Sequence, residues 1–209
     1  MAEPSWKVNL FTLGNSAVGK TSFIIRYTKN TFRNEYISTI GIDFEVNNTI
    51  LPNGENIRIC FYDTAGQEQY KSIAYNLIKS AEGILILYDI TNQKSFEAVD
   101  GWIESIKQVK GNDFPIVIIG NKCDLEEDRV IKKEEGQELA EKYGYPFFET
   151  SNENGINVKE SVMTLTTKIV EIKKKEKEEN DKKEEEKKEV FLDKKKTLPK
   201  KKSECKCKS

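Results

Sequence analysis

The segment Gly14-Asn15-Ser16-Ala17-Val18-Gly19-Lys20-Thr21 reads G-x-x-x-x-G-K-T. It lies between an apolar run, Val8–Leu13, and a run with helical spacing, Ser22–Tyr27. That order of strand, loop and helix is what the motif needs to be more than a chance match. Glycines let the backbone curl so that its N–H groups face an anion. The helix that follows adds its positive N-terminal end. Lys20 brings a point charge to outer phosphates, and the Thr21 hydroxyl can ligate Mg²⁺. A chain opening this way is constrained to place a buried strand and a helix around a phosphate-sized hollow.

Further apolar runs alternate with helix-period segments up to about Lys173. Gly83–Tyr88, Ile116–Gly120 and Pro146–Phe148 read as buried strands, because unbroken apolar runs suit a sheet covered on both faces. Ser95–Lys110, Lys132–Tyr143 and Asn157–Ile172 carry helical spacing, with Ser95 and Asn154 or Asn157 as caps. Asn53-Gly54, between Phe44–Leu51 and Asn56–Tyr62, signals a hairpin turn. The expected fold is α/β: a mostly parallel six-stranded sheet of the P-loop NTPase type with one antiparallel edge strand and helices on both faces. Ligands then belong at the carboxyl ends of the strands.

The chain has 209 residues and a formal net charge of −1, so bulk charge points to no nucleic-acid role. Length suits one domain, residues 1–173, plus a charged, flexible tail, 174–209. Residues Lys173 to Glu189 are nearly all Lys, Glu, Asp and Asn and cannot build a core; disorder is the expected state, with a solvated helix extension as the other option. No apolar run reaches the roughly 18 residues a bilayer span needs, and MAEPSWK carries no apolar signal region. Cys60 and Cys123 fall in or beside apolar runs and are expected to stay reduced. Histidine is absent, so any hydrolysis here proceeds without an imidazole base.

Two more segments narrow the chemistry. Asp63-Thr64-Ala65-Gly66-Gln67-Glu68 follows the third strand. Asp63 can hold Mg²⁺ through water, Gly66 admits its N–H close to a γ-phosphate, and Gln67 can orient an attacking water. Asn121-Lys122-Cys123-Asp124 follows the strand Ile116–Gly120. A carboxylate in the plane of guanine accepts from both the ring N–H and the exocyclic amine; adenine offers no such pair and would leave Asp124 unpaired. The Lys122 stem can cover a base face, and Asn121 can tie neighbouring loops together.

With these segments in order over residues 7 to about 172, the chain resembles a small GTPase of the Ras superfamily. Ser38-Thr39-Ile40-Gly41-Ile42-Asp43-Phe44 resembles the Rab-type effector segment, and Trp102 and the paired cysteines near the end point the same way. The resemblance implies nucleotide contacts from Asn15 through Ser22, with Lys20 and Gln67 catalytic. It implies Thr39 as the switch threonine joining Thr21 and Asp63 at Mg²⁺, and Phe32 edge-on to guanine. Ser151, Asn152 and Glu153 would contact the base from below, beside Asn121, Lys122 and Asp124.

The resemblance also implies a slow hydrolysis of GTP to GDP and phosphate. No cis arginine finger is visible, so an activating protein would supply the missing charge, worth about 10³–10⁵ in rate. An exchange factor, a GDP dissociation inhibitor and effectors are the other expected partners of a monomer. Segments Asn34–Gly41 and Gly66–Ile78 would respond to the γ-phosphate. The basic stretch after Leu192 holds eight lysines. With Cys205 and Cys207 prenylated it would anchor a cytosolic protein to the cytoplasmic face of an intracellular membrane. The terminus is C-x-C-x-S, neither a bare C-x-C nor C-a-a-X.

Departures from the pattern matter. Asn152-Glu153 stands in place of the Ala-Lys of E-T-S-A-K: the Asn152 N–H can still reach guanine O6, but Glu153 supplies neither the aliphatic stem nor the positive charge of the lysine, which predicts weaker nucleotide retention. Tyr62 stands where Rab proteins carry Trp, and Leu77-Ile78 where a tyrosine pair is usual. Ser16 replaces the glycine of Ras proteins, a change common in Rab proteins. A Ras- or Rap-like signalling GTPase, a GTP-binding module with little hydrolysis and a nucleotide kinase stay open as alternatives.

Overall fold

The computed structural model describes residues 3–32, 42–64 and 78–196. Strand β1 (Trp6–Leu13) leads through a loop into α1 (Lys20–Lys29). Strands β2 (Ile42–Ile50) and β3 (Asn56–Thr64) form a hairpin. Then come β4 (Gly83–Asp89), α2 (Gln93–Lys110), β5 (Ile116–Asn121), α3 (Lys133–Tyr143), β6 (Phe147–Thr150) and α4 (Val158–Lys196). The sheet order is β2-β3-β1-β4-β5-β6. Every neighbouring pair is parallel except β2–β3, which runs antiparallel from Ile42↔Thr64 to Ile50↔Asn56. The hairpin turn falls at Asn53-Gly54, where Gly54 takes φ +85°. The expected mostly parallel sheet with one antiparallel edge strand is the fold found.

Alternating residues of each strand feed two cores. On one face Val8, Leu10, Leu85 and Ile119 meet Phe23 and Ile24 of α1 and Val162, Leu165 and Ile169 of α4. On the other, Phe11, Ile84, Ile86 and Ile118 meet Val99, Ile103 and Ile106 of α2 and Ala140 of α3. All of β4 and β5 is buried, as the unbroken apolar runs require. Each fully buried aliphatic side chain contributes roughly 1.5–3 kcal/mol, so the sheet is a stiff platform for the loops at its edge. The parallel strands β1, β3, β4, β5 and β6 all direct their carboxyl ends to one edge. The segments beginning at Gly14, Asp63 and Asn121 therefore share it.

Three local expectations shift. Helix α2 starts two residues before Ser95. Asn92 is its cap and accepts from Ser95 N–H at 3.2 Å, while the Ser95 hydroxyl donates to the Asn92 carbonyl at 2.7 Å. Asn157 precedes α4, but its side-chain amide donates to the Glu149 carbonyl at 2.8 Å and does not cap the first turn. Strand β6 runs on to Thr150 because polar Glu149 and Thr150 pair with Gly120 and Asn121, a pairing that an apolar criterion misses.

The described chain divides into two units, up to Val170 and from Glu171 onward. In the second, residues stay helical to Lys196, in place of the expected disorder between Lys173 and Glu189. Lys and Glu are good helix formers. The nucleation cost, which defeats short isolated helices, falls only once per helix. Among the described residues, no helix is long and apolar enough to cross a membrane.

Candidate functional site

Six residues, Gly14 to Gly19, connect Leu13 to the start of α1 at Lys20. Gly14, Ala17 and Gly19 take φ of +138°, +61° and +95°. A Cβ on Gly14 would lie 2.1 Å from the Leu87 carbonyl oxygen, so strand β4 closes that side. Interspersed left-handed residues turn successive N–H groups into one concavity. Ala17 holds this conformation despite its Cβ, at a cost on the order of 1 kcal/mol, the kind of strain found at binding loops. Gly19 caps α1 without any side-chain bond to the first turn. The leading N–H groups of a helix have no partner within the helix itself, which makes that end an anion site.

Lys20 is only 5% exposed, and its Nζ donates to the carbonyls of Gly14 at 2.8 Å and Asn15 at 2.7 Å. A buried ammonium needs such partners. Thr21 Oγ1 donates to Asp63 Oδ2 at 2.5 Å, across the mouth between α1 and the end of β3. A hydroxyl and a carboxylate are hard oxygen donors, and their adjacency fits Mg²⁺. Among the described residues no group of three His, Cys, Asp or Glu gathers around a metal position. A magnesium ion held here would draw much of its shell from water and ligand oxygens, as it ordinarily does. Asn15 is half-buried and its Oδ1 accepts from Trp102 Nε1 at 3.4 Å. Val18 is buried, Ser16 and Ala17 are exposed, and Ser22 is half-buried in the first turn of α1.

The second half of the site hangs on Asn121, which is fully buried at the end of β5. Its Nδ2 donates to the Val18 carbonyl at 2.8 Å, and its Oδ1 accepts from Thr150 Oγ1 at 3.0 Å. One side chain thus joins the phosphate loop, β5 and β6, as expected of it. Lys122 stands in the left-handed region, with φ +68°, and its Nζ pairs with Asp89 Oδ2 at 2.6 Å. Asp124 is half-buried beside it. Burial, with Glu149 nearby, pushes the Cys123 thiol above its ordinary range, so this cysteine is a poor nucleophile. Ser151 and Asn152 are buried, and Glu153 is exposed. The Ser151 hydroxyl accepts from Asn154 N–H at 3.0 Å, and its own N–H donates to Ile156 at 3.2 Å.

The structure therefore gathers Asn15 to Ser22, Asp63, Asn121 to Asp124 and Ser151 to Glu153 at one edge. Phe32 lies half-buried just past α1. Thr39, Gly66, Gln67, Cys205 and Cys207 lie outside the described residues, as do most of the two segments expected to switch. Sequence reading missed Asp89 and Arg26. Asp89 had a signal, a carboxylate closing a wholly apolar strand. Arg26 had none: its Nε donates to the Asn152 carbonyl and its Nη2 to the Glu153 carbonyl, each at 2.5 Å. Those partners lie 126 and 127 positions along the chain, and no local pattern couples residues so far apart.

Comparison with known proteins gives a consistent answer. The Ras family matches residues 9–171. Ras-related protein Rab-3C of Bos taurus is 44% identical over 162 residues, covering 78% of this chain and 71% of that protein. Ras-related protein Rab-3A of Homo sapiens is 43% identical over 162 residues, 78% of this chain and 73% of its own length. Ras-related protein Rab-3B of Homo sapiens is 42% identical over the same length, 78% and 74% of the two chains.

Proposed function

Because the chain belongs to the Ras family and, within it, to the Rab proteins, we propose that its carboxyl-edge loops form the guanine-nucleotide site of a GTP-dependent switch. The protein is a Rab-like GTPase acting in vesicle traffic, and it turns GTP and water into GDP and phosphate. Ras-family proteins bind guanine nucleotide and Mg²⁺. The observation that supports the site is a pair of bridges: Thr21 to Asp63 at 2.5 Å and Asn121 to Val18 at 2.8 Å. They tie the start of α1 to a carboxylate near the end of β3, and the end of β5 to the phosphate loop, at one edge of the sheet.

In this reading Asn15 to Thr21 and Ser22 cradle the phosphates. Lys20 exchanges its loop carbonyls for phosphate oxygens. Asp124 accepts from guanine, Lys122 and Phe32 flank the base, and the Ser151–Glu153 loop closes below it. Thr21, Asp63 and Thr39 are the residues that would hold Mg²⁺, which when bound neutralises charge on the outer phosphates. Gln67 orients the attacking water, and positioning with charge stabilisation supplies the rest of the catalysis. Thr39 and Gly66 report the γ-phosphate to the surface.

Regulators and effectors accompany such a switch. An exchange factor, an activating protein and a GDP dissociation inhibitor are the proposed regulators. Phe44 is 49% exposed on the edge hairpin and sits 5.2 Å from Tyr62, ring centre to ring centre. Tyr62 in turn stacks on Phe11 at 4.4 Å. This supports an aromatic docking face whose Tyr selects a different effector set from a Trp. A Ras- or Rap-like role is not favoured, given the Rab relatives.

The test is direct. The full chain should bind GDP far more tightly than ADP and hydrolyse GTP in single turnover. Gln67→Leu should slow that turnover on the order of 10²-fold, the size of effect expected on losing one positioned polar group, with GTP binding intact. Unchanged hydrolysis would remove Gln67 from the mechanism, and equal affinity for ADP would refute the reading of Asp124.

A further inference from the structure

Position 152 carries Asn where the family's E-T-S-A-K segment has Ala, and the structure gives that side chain a use. Asn152 is 5% exposed, and its Nδ2 donates to the Gly19 carbonyl at 3.0 Å. The neighbouring carbonyl, that of Val18, is taken by Asn121 Nδ2 at 2.8 Å. Two consecutive phosphate-loop carbonyls are thus held by two amides, one from each base-reading segment. Gly19 makes the room: a Cβ there would lie 2.5 Å from Asn121 Nδ2 and 2.8 Å from Asn152 Nδ2.

The backbone around Asn152 is pinned as well. Arg26, on the helix that the phosphate loop opens, donates to the carbonyls of both Asn152 and Glu153. The Ser151 carbonyl accepts from Gly155 N–H at 2.8 Å. In a trans peptide the C=O and the following N–H point opposite ways. The Asn152 N–H is therefore turned to the side away from Gly155.

We propose that Asn152 is a positioning residue that fastens the guanine loop to the phosphate loop, so that base and phosphates are released together or not at all. This rests on the reading of Asp124 and the phosphate loop as one nucleotide site. It supplies a counterweight to Glu153: the loop that lacks the family's lysine is tied from within. Losing a single net hydrogen bond changes an equilibrium about three- to tenfold. The carboxylate of Asn152→Asp would face the Gly19 carbonyl with no donor and should do more harm than alanine.

The experiment uses the full chain loaded with a fluorescent GDP and chased with excess GDP. Asn152→Ala, which places the family's own residue at this position, should release nucleotide about three- to tenfold faster, and Asn152→Asp faster still. A merely structural role would weaken all ligands alike, so GDP and GMP affinities are compared. The Asn152→Ala loss should be larger for GDP, which engages both loops fully, than for GMP. Release by Asn152→Ala at or below the parental rate overturns the proposal, as does an equal loss for GDP and GMP. A parent chain that retains no GDP overturns the nucleotide reading and this inference with it. Parental retention with indifferent variants overturns this inference alone.

Discussion

Glu153 puts a carboxylate where the Rab pattern has the lysine that lines the base. Its side chain is exposed, while its carbonyl is held by Arg26. The backbone position is therefore independent of the side chain, and Glu153→Lys exchanges only the outward group. A lysine stem would cover apolar base surface, and its charge would favour a phosphate-bearing ligand. Exposed charge effects are small, about 0.2–1 kcal/mol. Glu153→Lys should therefore slow GDP release no more than about fivefold, at low salt more than at high salt. Chase kinetics at two ionic strengths check this; release as fast as the parent's would show that the lysine is dispensable here. Asn152 and Glu153 thus act on the same step in opposite senses, through different atoms. They are far enough apart in mechanism to be separated by a double-mutant cycle.

The phosphate loop is an element whose sequence announces its shape, because only a few residue types tolerate its backbone. Gly14 and Gly54 make the point by contrast. Both have positive φ, +138° and +85°. A Cβ at Gly14 meets the Leu87 carbonyl oxygen at 2.1 Å, whereas one at Gly54 meets nothing within 4 Å. Gly54→Ala should carry only the left-handed penalty of about 1–2 kcal/mol. Gly14→Ala adds a clash with strand backbone that no rotamer change relieves. Thermal melting in excess GDP should show a drop of about 2–8 °C for Gly54→Ala, at roughly 2–4 °C per kcal/mol for a domain this size. For Gly14→Ala the drop should be distinctly larger, with GDP binding lost. Equal shifts would mean that the approach of Leu87 is not what fixes Gly14.

The same contrast explains what the sequence made legible. The sheet, its antiparallel edge and the three loop motifs follow from local spacing: apolar runs, Asn-Gly, and glycines before Lys-Thr. Arg26 holding Asn152, and Asp89 holding Lys122, depend on which loops the topology brings together. No window of neighbouring residues contains that information. Strand β6 was blurred for a related reason: Glu149 is hidden by its ion pair with Arg129 at 2.6 Å, so a charged residue occupies a strand that composition would call a loop.

At the scale of the whole molecule, a net charge near zero conceals a segregated chain. Residues up to Val170 form one compact unit. The second unit, from Glu171, is Lys- and Glu-rich helix through Lys196, and Cys205 and Cys207 follow outside the described residues. From Glu171 to Leu192 the lysines and glutamates of that helix interleave, so this stretch has no net pull toward an anionic surface. Attraction to such a surface would have to come from the eight lysines after Leu192, at about 1 kcal/mol each near the lipid. Such attraction is weakened by salt, and stable anchoring takes a second, apolar signal. We propose that Cys205 and Cys207 carry it as prenyl groups. In fractionated eukaryotic cells the full chain should sediment with membranes, and its intact mass should exceed the polypeptide's by one or two prenyl groups. A chain lacking residues 205–209 keeps six of those lysines, and should move to the soluble fraction with GDP binding unchanged. Membrane retention by the shortened chain would assign anchoring to charge alone. An unmodified mass on a membrane-bound full chain would assign it to a protein partner, leaving the cysteines without that role.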